Sequence, residues 1–173
     1  PPFVGIVHRL DRVTSGAIIF ARRKSTLVFL NEAFASGKTK KTYNALTSSP
    51  LTDDQGRLRH YLGRSPTNKQ AVTSTRPTPD TKEAILDYRL IRSGDGLFQY
   101  EITLLTGRFH QIRAQLAAVG APIFGDVAYG SSRILGDHQI ALHASQLTFP
   151  DHSTGETVTV EAPLPAYWPV IQP

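Results

Sequence analysis

Alternating hydrophobic and polar positions predict that much of this chain forms strands joined as hairpins. In residues 84–91 the even-numbered positions hold Ala, Leu, Tyr and Leu, a period of two that is typical of a strand with one apolar face. Residues 94–96 are Gly-Asp-Gly, a turn signal, and residues 97–105 supply the returning antiparallel strand. Further strands, of which the second is predicted to be buried on both faces, are expected at residues 3–7, 16–21, 40–47, 140–149 and 157–162.

Helical spacing of apolar residues is found in two segments. In the first, Leu27, Leu30 and Phe34 recur after Ser25, a suitable N-cap, and before Gly37, which suits the left-handed position after a helix. The second helix is predicted to open at residue 106 or 107 and to end at residue 120. Its apolar face would carry Ile112, Leu116 and Val119.

Two helices and about eight strands, arranged as hairpins, predict an α+β fold. We expect a mixed, mainly antiparallel sheet with the helices packed on it, because regular strand–helix alternation is absent from the pattern. The polar, proline-containing residues 52–79 are interpreted as a hairpin plus a surface loop within one domain spanning residues 1–173, and residues 163–173 as an irregular strap.

Composition narrows the classes of function. With 173 residues and 40% hydrophobic content, the chain can form one domain with its own core. It has no cysteine, no signal-peptide pattern and no apolar run of about 20 residues, so we expect a cytoplasmic protein without disulfides, thiolate metal sites or membrane spans. The net charge of +5 favours a polyanionic partner such as nucleic acid.

One acidic residue lies between two arginines near the start of the chain. Asp11 is flanked by Arg9 and Arg12, followed by a Thr-Ser-Gly turn. A shielded carboxylate needs a cation beside it, which either arginine can supply, unless the arginines bind a polyanion instead. A solvated surface salt bridge is the simpler interpretation of this motif taken alone.

The start of the second predicted helix carries a second group of polar residues. His110 and Arg113 are three residues apart and therefore share a side of the helix. Free N–H groups at a helix start and the nearby Arg108 favour an anionic ligand.

Together these motifs resemble one known family. Residues 8–16 (His-Arg-Leu-Asp, then Thr-Ser-Gly) resemble the signature of the RluA-type pseudouridine synthases. Residues 41–45 (Lys-Thr-Tyr-Asn-Ala) are similar to its lysine-x-tyrosine-x-alanine strand. Residues 106–130 resemble its third conserved block, and residues 142–163 its closing segment. The order and approximate spacing match over nearly the whole chain.

The resemblance implies isomerisation of uridine to pseudouridine in ribosomal or transfer RNA, by a monomer without cofactor or metal. Asp11 matches the catalytic aspartate, and Arg9 matches the arginine that fills the gap left by the flipped base. Tyr43 matches the tyrosine that stacks on the base and is proposed to take the C5 proton, and Arg113 the arginine that pairs with the carboxylate. The predicted RNA-binding residues are Arg9, Arg12, Lys41, Arg108 and His110.

These residues suit that chemistry. The reaction breaks the N1–C1′ bond and joins C5 to C1′, and an ionised Asp11 can act as nucleophile at either C1′ or C6. The base must leave its stack to be reached, and an aromatic face such as Tyr43 can stack on it, worth about 1–3 kcal/mol per base.

Other interpretations remain open at this level. Members of the family usually have a further segment before the signature, and only residues 1–7 precede it here, so we expect a catalytic domain that lacks this segment. The same scaffold without turnover would be an RNA-binding module. A hydrolase that uses Asp11 and His110 as acid and base is a further alternative, although no second carboxylate stands at a convincing partner position. His8, His110 and His143 lack metal-ligand spacing, so no metal site is predicted.

Overall fold

A computed structural model describes residues 1–172, and they form the predicted α+β fold. The helices are α1 (Lys24–Ala35) and α2 (Gln111–Ala118), and a single 3-10 turn covers Val127–Tyr129. The strands in chain order are β1 (Gly5–Ile6), β2 (Ser15–Gly16), β3 (Phe20–Ala21), β4 (Lys40–Thr47), β5 (Gln55–Arg64), β6 (Ala71–Ser74), β7 (Lys82–Gly94), β8 (Leu97–Leu104), β9 (Leu142–Pro150) and β10 (Thr157–Glu161).

A mixed, mainly antiparallel sheet of eight strands forms the body of the molecule. Seven strands lie in the order β10-β9-β4-β8-β7-β5-β6, and each neighbouring pair is antiparallel. The short β2 adds to β9 in parallel, while β1 and β3 pair separately. The hairpin expected within residues 52–79 is β5–β6. The order places β4 inside the sheet, where pairing with β9 on one side and β8 on the other fixes its backbone.

The core lies between the sheet and α2. Leu116 of α2 is fully buried in the same cluster as Leu86 and Ile102 of the sheet. All residues from Gln111 to Leu116 are buried, so the helix has almost no solvent-facing side over its first turns. Burial of this kind fixes the start of α2 relative to the sheet, and this start carries several of the predicted site residues.

The C-terminal segment is irregular, as predicted, and contributes to the core. Trp168 and Ile171 are buried in the main cluster, and the Trp168 ring lies edge-on to His143 of β9. A Cβ at Gly94 would lie 1.9 Å from the Gln172 carbonyl oxygen, so the segment passes directly over the β7–β8 turn. Pro173, the last residue of the predicted strap, lies outside the described residues.

Two local predictions near the N-terminus are wrong. Residues 16–21 do not form one strand buried on both faces, because β2 and β3 are separate and Ile18 and Phe20 are exposed. Helix α1 begins at Lys24 with Arg23 as its N-cap residue, and no side chain caps it, so Ser25 lies inside the helix. The apolar residues at 16–21 do not distinguish one strand from two short strands with different partners, and here β2 pairs with β9 while β3 pairs with β1. The left-handed conformation of Gly37 after α1 is confirmed at φ 73°.

The predicted start of the second helix is also wrong. Helix α2 begins at Gln111, five residues after Thr106, and His110 precedes it in the left-handed region at φ 50°. The Gln111 side chain explains the late start. Its Oε1 accepts hydrogen bonds from the Thr106 hydroxyl and the Arg108 amide, and its Nε2 donates to the Ile85 carbonyl. These bonds hold residues 106–108 on β7 in a non-helical loop.

Candidate active site

A cleft of about 960 Å³ lies at the sheet face beside the start of α2. Its walls come from the loop before β2, from β4, from the end of α1 and from the loop that leads into α2. All eight site residues predicted from the sequence line it: Arg9, Asp11, Arg12, Lys41, Tyr43, Arg108, His110 and Arg113. Segments that are distant in sequence thus converge on one site.

The loop that carries Asp11 is closed by a turn and anchored on β9. The Thr14 amide donates to the Asp11 carbonyl at 2.9 Å and closes a turn. After it, Ser15 and Gly16 pair with His143 and Ala144 of β9. Gly16 has φ 118°, and a Cβ there would lie 2.2 Å from the Ala144 carbonyl oxygen. The backbone therefore approaches β9 at a distance that only glycine permits.

His143 has a structural role in this anchor. Its Nε2 lies 3.0 Å from the Ala162 carbonyl oxygen, which can only accept, so Nε2 carries the proton. Its Nδ1 therefore accepts the hydrogen bond from the Ser15 hydroxyl at 2.8 Å. Among residues 1–172 no group of three or more His, Cys, Asp or Glu side chains is placed to hold a metal ion.

Arg113 contacts two carboxylates, one through hydrogen bonds and the other at a longer, ion-pair distance. Its Nε and Nη2 donate to Asp126 at 2.7 and 2.8 Å, a buried bidentate pair. Its Nη1 lies 3.7 Å from Asp11 Oδ2, within ion-pair range but longer than a hydrogen bond. Burial lowers the pKa of Arg113, but the hydrogen bonds and charge of Asp126, together with Asp11, raise it overall. The guanidinium is therefore a permanent, oriented cation beside Asp11.

Asp126 is a site residue that the sequence reasoning missed. It lies in the glycine-rich segment after α2 and is 1% exposed. A signal was present, since a Gly-Asp pair two residues after Pro-Ile belongs to the motif compared above. The pairing across 13 residues follows from the chain reversal after Gly120 and is not visible in any local pattern.

Tyr43 lies on the cleft face of β4, two residues after Lys41, so both side chains leave the strand on the same side. Burial, with a smaller contribution from the charge of Asp11, raises the pKa of Tyr43 to about 12. At neutral pH the side chain is therefore a neutral phenol. Such a ring offers a stacking surface next to the carboxylate.

Lys41 is a half-buried cation in the cleft wall. Its ammonium group lies 5.9 Å from the centre of the Phe34 ring, and burial lowers its pKa. Among the described residues the ammonium group has neither a hydrogen bond nor an ion pair. Phe34 is itself held in place, because the His8 ring stacks on it at 5.1 Å. The Nε2 atom of His8 in turn accepts a hydrogen bond from the Ile19 amide. Lys41 thus presents an uncompensated charge that suits an anion.

Four arginines complete the basic lining. Arg9 and Arg12 are exposed, and an Nη of Arg12 lies 3.1 Å from Nδ1 of His138. Arg108 is held over β7 because its Nε donates to the Glu83 carbonyl at 2.8 Å. Arg64 of β5, which the sequence reasoning also missed, stacks over Phe109 at 4.6 Å.

His110 lies next to both Asp11 and Arg113. Its Nε2 is 3.8 Å from Asp11 Oδ2, and its Nδ1 is 2.9 Å from the Tyr129 hydroxyl. Burial is the main cause that lowers the pKa of His110, and the nearby Arg113 acts in the same direction, while Asp11 and Asp126 oppose it. The imidazole is therefore neutral at pH 7.

Comparison with known proteins shows the family of this chain. A family model described as RNA pseudouridylate synthase matches residues 1–118, which include β1 to β8 and α2. The chain belongs to this family. The resemblance to the RluA-type enzymes is thereby confirmed.

Two bacterial relatives illustrate the match to the RNA pseudouridylate synthase family. The chain is 35% identical over 162 residues to the uncharacterized RNA pseudouridine synthase YhcT of Bacillus subtilis, covering 92% of this chain and 52% of that protein. It is 34% identical over 165 residues to the ribosomal large subunit pseudouridine synthase C of Rickettsia bellii, covering 94% and 54%. The chain thus spans about half the length of these relatives.

Solved structures of the family share the fold. The human RNA pseudouridylate synthase domain containing 1 superposes with a TM-score of 0.81 at 26% identity, over 94% of this chain and 70% of that one. The human RNA pseudouridylate synthase domain containing 4 gives a TM-score of 0.79 at 22% identity, over 95% of this chain and 73% of that one.

Among the described residues no helix has the length and hydropathy to cross a bilayer.

Proposed function

We propose that this domain isomerises uridine to pseudouridine in RNA, with Asp11 as the nucleophile. The observation that carries the proposal is the position of the Asp11 carboxylate. It remains about one-quarter exposed at the cleft, 3.7 Å from an arginine whose other contacts are satisfied by Asp126. A carboxylate so placed is kept beside a cation yet can reach a reacting carbon.

The other cleft residues take the roles that the family resemblance implies. Arg9 is exposed and free to enter the stack in place of the extruded base. Tyr43, as a neutral phenol, supplies the face on which the base stacks. The N1–C1′ bond breaks, the C5–C1′ bond forms, the hydrogen on C5 leaves as a proton and N1 gains one. Attack at C1′ and attack at C6 both fit the position of Asp11.

The basic lining would bind the phosphates of a structured RNA. Lys41, Arg12 and Arg108 surround the carboxylate, and binding through such contacts weakens as salt increases. The names of relatives such as the Rickettsia protein favour ribosomal RNA as the substrate, with transfer RNA as the second candidate. The proposal includes a cytoplasmic monomer, and size-exclusion chromatography with light scattering tests the oligomeric state.

The test is release of tritium from RNA labelled at uridine C5, because pseudouridine formation must expel that hydrogen. Unmodified ribosomal and transfer RNA pools are incubated with wild type and with Asp11→Asn, and RNA binding is measured in parallel. We expect release by wild type alone, with similar RNA binding by both proteins. Normal release by Asp11→Asn would show that another group is the nucleophile.

The same assay separates the two alternatives. Equal RNA binding by both proteins with no release from either pool would indicate an RNA-binding module. Strand scission or free uracil would indicate a hydrolase. The contacts of His110 disfavour it as the base of a hydrolase, because its Nδ1 already faces the Tyr129 hydroxyl.

A further inference from the structure

Tyr129 links the β5–β6 hairpin to the cleft although it does not line the cleft itself. We propose that Tyr129 is a positioning residue that holds His110 in the tautomer protonated on Nε2, so that an N–H group faces Asp11. The inference rests on the proposed function of Asp11 and adds a residue to it. Its evidence is a chain of hydrogen bonds whose directions can be assigned.

The first bond fixes the orientation of the Tyr129 hydroxyl. The Ala71 amide lies 2.7 Å from the Tyr129 oxygen, and an amide N–H can only donate, so the oxygen accepts. Ala71 is the first residue of β6 and is buried. The donor position is therefore set by the hairpin.

The second bond fixes the tautomer of His110. The Tyr129 O–H then needs an acceptor, and among the described residues only Nδ1 of His110, at 2.9 Å, lies within hydrogen-bond range to accept from it. An Nδ1 that accepts carries no proton, so a neutral imidazole is protonated on Nε2. That atom lies 3.8 Å from Asp11 Oδ2. The positive end of the N–H dipole is thus placed beside the carboxylate.

The groups that face His110 are consistent with a neutral ring. Asp11 and Asp126 favour its protonated form, whereas Arg113 and Arg64 oppose it, and burial also favours the neutral form. The ring is held in plane as well, since Phe109 stacks on it at 3.7 Å and Tyr129 packs edge-on at 5.8 Å. Arg113 stacks over Tyr129 at 4.8 Å, so one aromatic ring orients both neighbours of the carboxylate.

The consequence is a carboxylate oriented by two unlike groups. Arg113 Nη1 places a permanent charge 3.7 Å from Oδ2, and His110 Nε2 places a neutral N–H group 3.8 Å from the same oxygen. Because burial lowers the pKa of His110 below 6.5, the ring remains mainly a neutral donor at pH 7 and above. Loss of Tyr129 would let the ring exchange tautomers and turn a lone pair toward Asp11, which is repulsive.

The direct test is the tautomer itself. Long-range proton–nitrogen correlation spectra of the uniformly nitrogen-15-labelled chain report which ring nitrogen is protonated, and His110→Asn assigns the signal. Asn is chosen because it tolerates the left-handed conformation of residue 110. We expect a single form protonated on Nε2 in wild type and a mixture in Tyr129→Phe. Tyr88→Phe, which removes a hydroxyl from a tyrosine outside the cleft, should match wild type.

Single-turnover kinetics give the functional readout. We expect Tyr129→Phe to slow the chemical step about tenfold, the size of effect seen when an outer hydrogen-bond partner is lost, with little change in RNA affinity. In the His110→Asn background the same substitution should change the rate by less than about twofold, because its effect passes through His110. Thermal unfolding of each variant separates this effect from loss of folding.

Two spectroscopic results would overturn the inference. One is a wild-type His110 protonated on Nδ1, and the other is an unchanged tautomer in Tyr129→Phe. Both are independent of activity, so they stand apart from failure of the proposed function, in which wild type releases no tritium. Full additivity of Tyr129→Phe and His110→Asn would likewise remove His110 as the route of the effect.

Discussion

Arg113 and Asp126 form a buried bidentate ion pair with hydrogen bonds of 2.7 and 2.8 Å. The pair holds the guanidinium in one orientation, and the remaining Nη1 then faces Asp11 at 3.7 Å without bonding it. One carboxylate therefore serves the fold and the other remains available for chemistry.

Asp126→Asn should destabilise the protein far more than Asp11→Asn. Removal of one member of a buried pair typically costs about 3–5 kcal/mol, because the other charge stays buried without its partner. Asp11 is about one-quarter exposed and has no direct hydrogen bond to Arg113, so its loss should cost less than about 1 kcal/mol. Urea unfolding of both variants measures the difference, and equal losses would contradict it.

Gly16→Ala should disrupt the Asp11 loop, whereas Gly37→Ala should not. Both glycines have positive φ, where a residue with a Cβ is destabilised, so each alanine substitution should cost about 1–2 kcal/mol from backbone conformation alone. Only at Gly16 would the added Cβ meet backbone, at 2.2 Å from Ala144, while nothing lies within 4 Å at Gly37. Gly16→Ala should therefore show the larger fall in melting temperature and a loss of turnover. Similar behaviour of the two variants would argue against the tight β2–β9 contact.

Lys41→Gln should weaken RNA binding and reduce its salt dependence. The ammonium group has no partner among the described residues, so a phosphate is the natural counter-ion. Loss of one phosphate contact lowers the slope of log affinity against log salt by about 1. Lys24→Gln, at the exposed first residue of α1 outside the cleft, is the control and should leave the slope unchanged. The same slope in both variants would place Lys41 outside the RNA contact.

Arg9→Ala should impair turnover without affecting the fold. Arg9 is exposed, so the melting temperature should stay close to that of wild type. Extruding a base costs a few kcal/mol, and without a side chain to fill the gap the rate should fall at least about tenfold. Fluorescence of 2-aminopurine beside the target uridine reports the extrusion. A large loss of stability with unchanged turnover would instead assign Arg9 a structural role.

Folding stability should decrease as the pH falls from 7.5 to 5.5. Burial lowers the pKa values of His8, His60 and His110 below the ordinary 6.5, so the unfolded chain takes up protons that the folded chain resists. The loss of folding stability begins near pH 6.5, the unfolded-state pKa, and is complete once the pH is below the folded-state pKa values of these histidines. The hydrogen-bonded carboxylates of Asp87 and Asp151, whose pKa values are lowered, add their own loss only at more acidic pH. Urea unfolding across this range, with His60→Gln expected to flatten the slope, measures the effect.

Several features follow from local sequence alone. The period-two pattern and the Gly-Asp-Gly turn were sufficient for the hairpin of β7 and β8, because each side chain's face is set by its position in the strand. Strand β4 matches its prediction at both ends for the same reason. The eight predicted site residues also lie in the cleft, but it was the resemblance to the RluA-type enzymes, and not local periodicity, that implied the roles of Arg9, Asp11, Tyr43 and Arg113.

Other features depend on contacts between distant segments. The start of α2 is set by Gln111 bonding to β7, and the division of residues 16–21 into two strands by pairing with β9 and β1. No local periodicity records such partners.

The different contacts that Arg113 makes with Asp11 and Asp126 also depend on segments that are distant in sequence. The sequence identified an arginine for the carboxylate, but only the packed structure shows that Asp126 takes both of the short hydrogen bonds. Charge pairing in a buried site depends on distance and desolvation, and both arise only once the chain has folded.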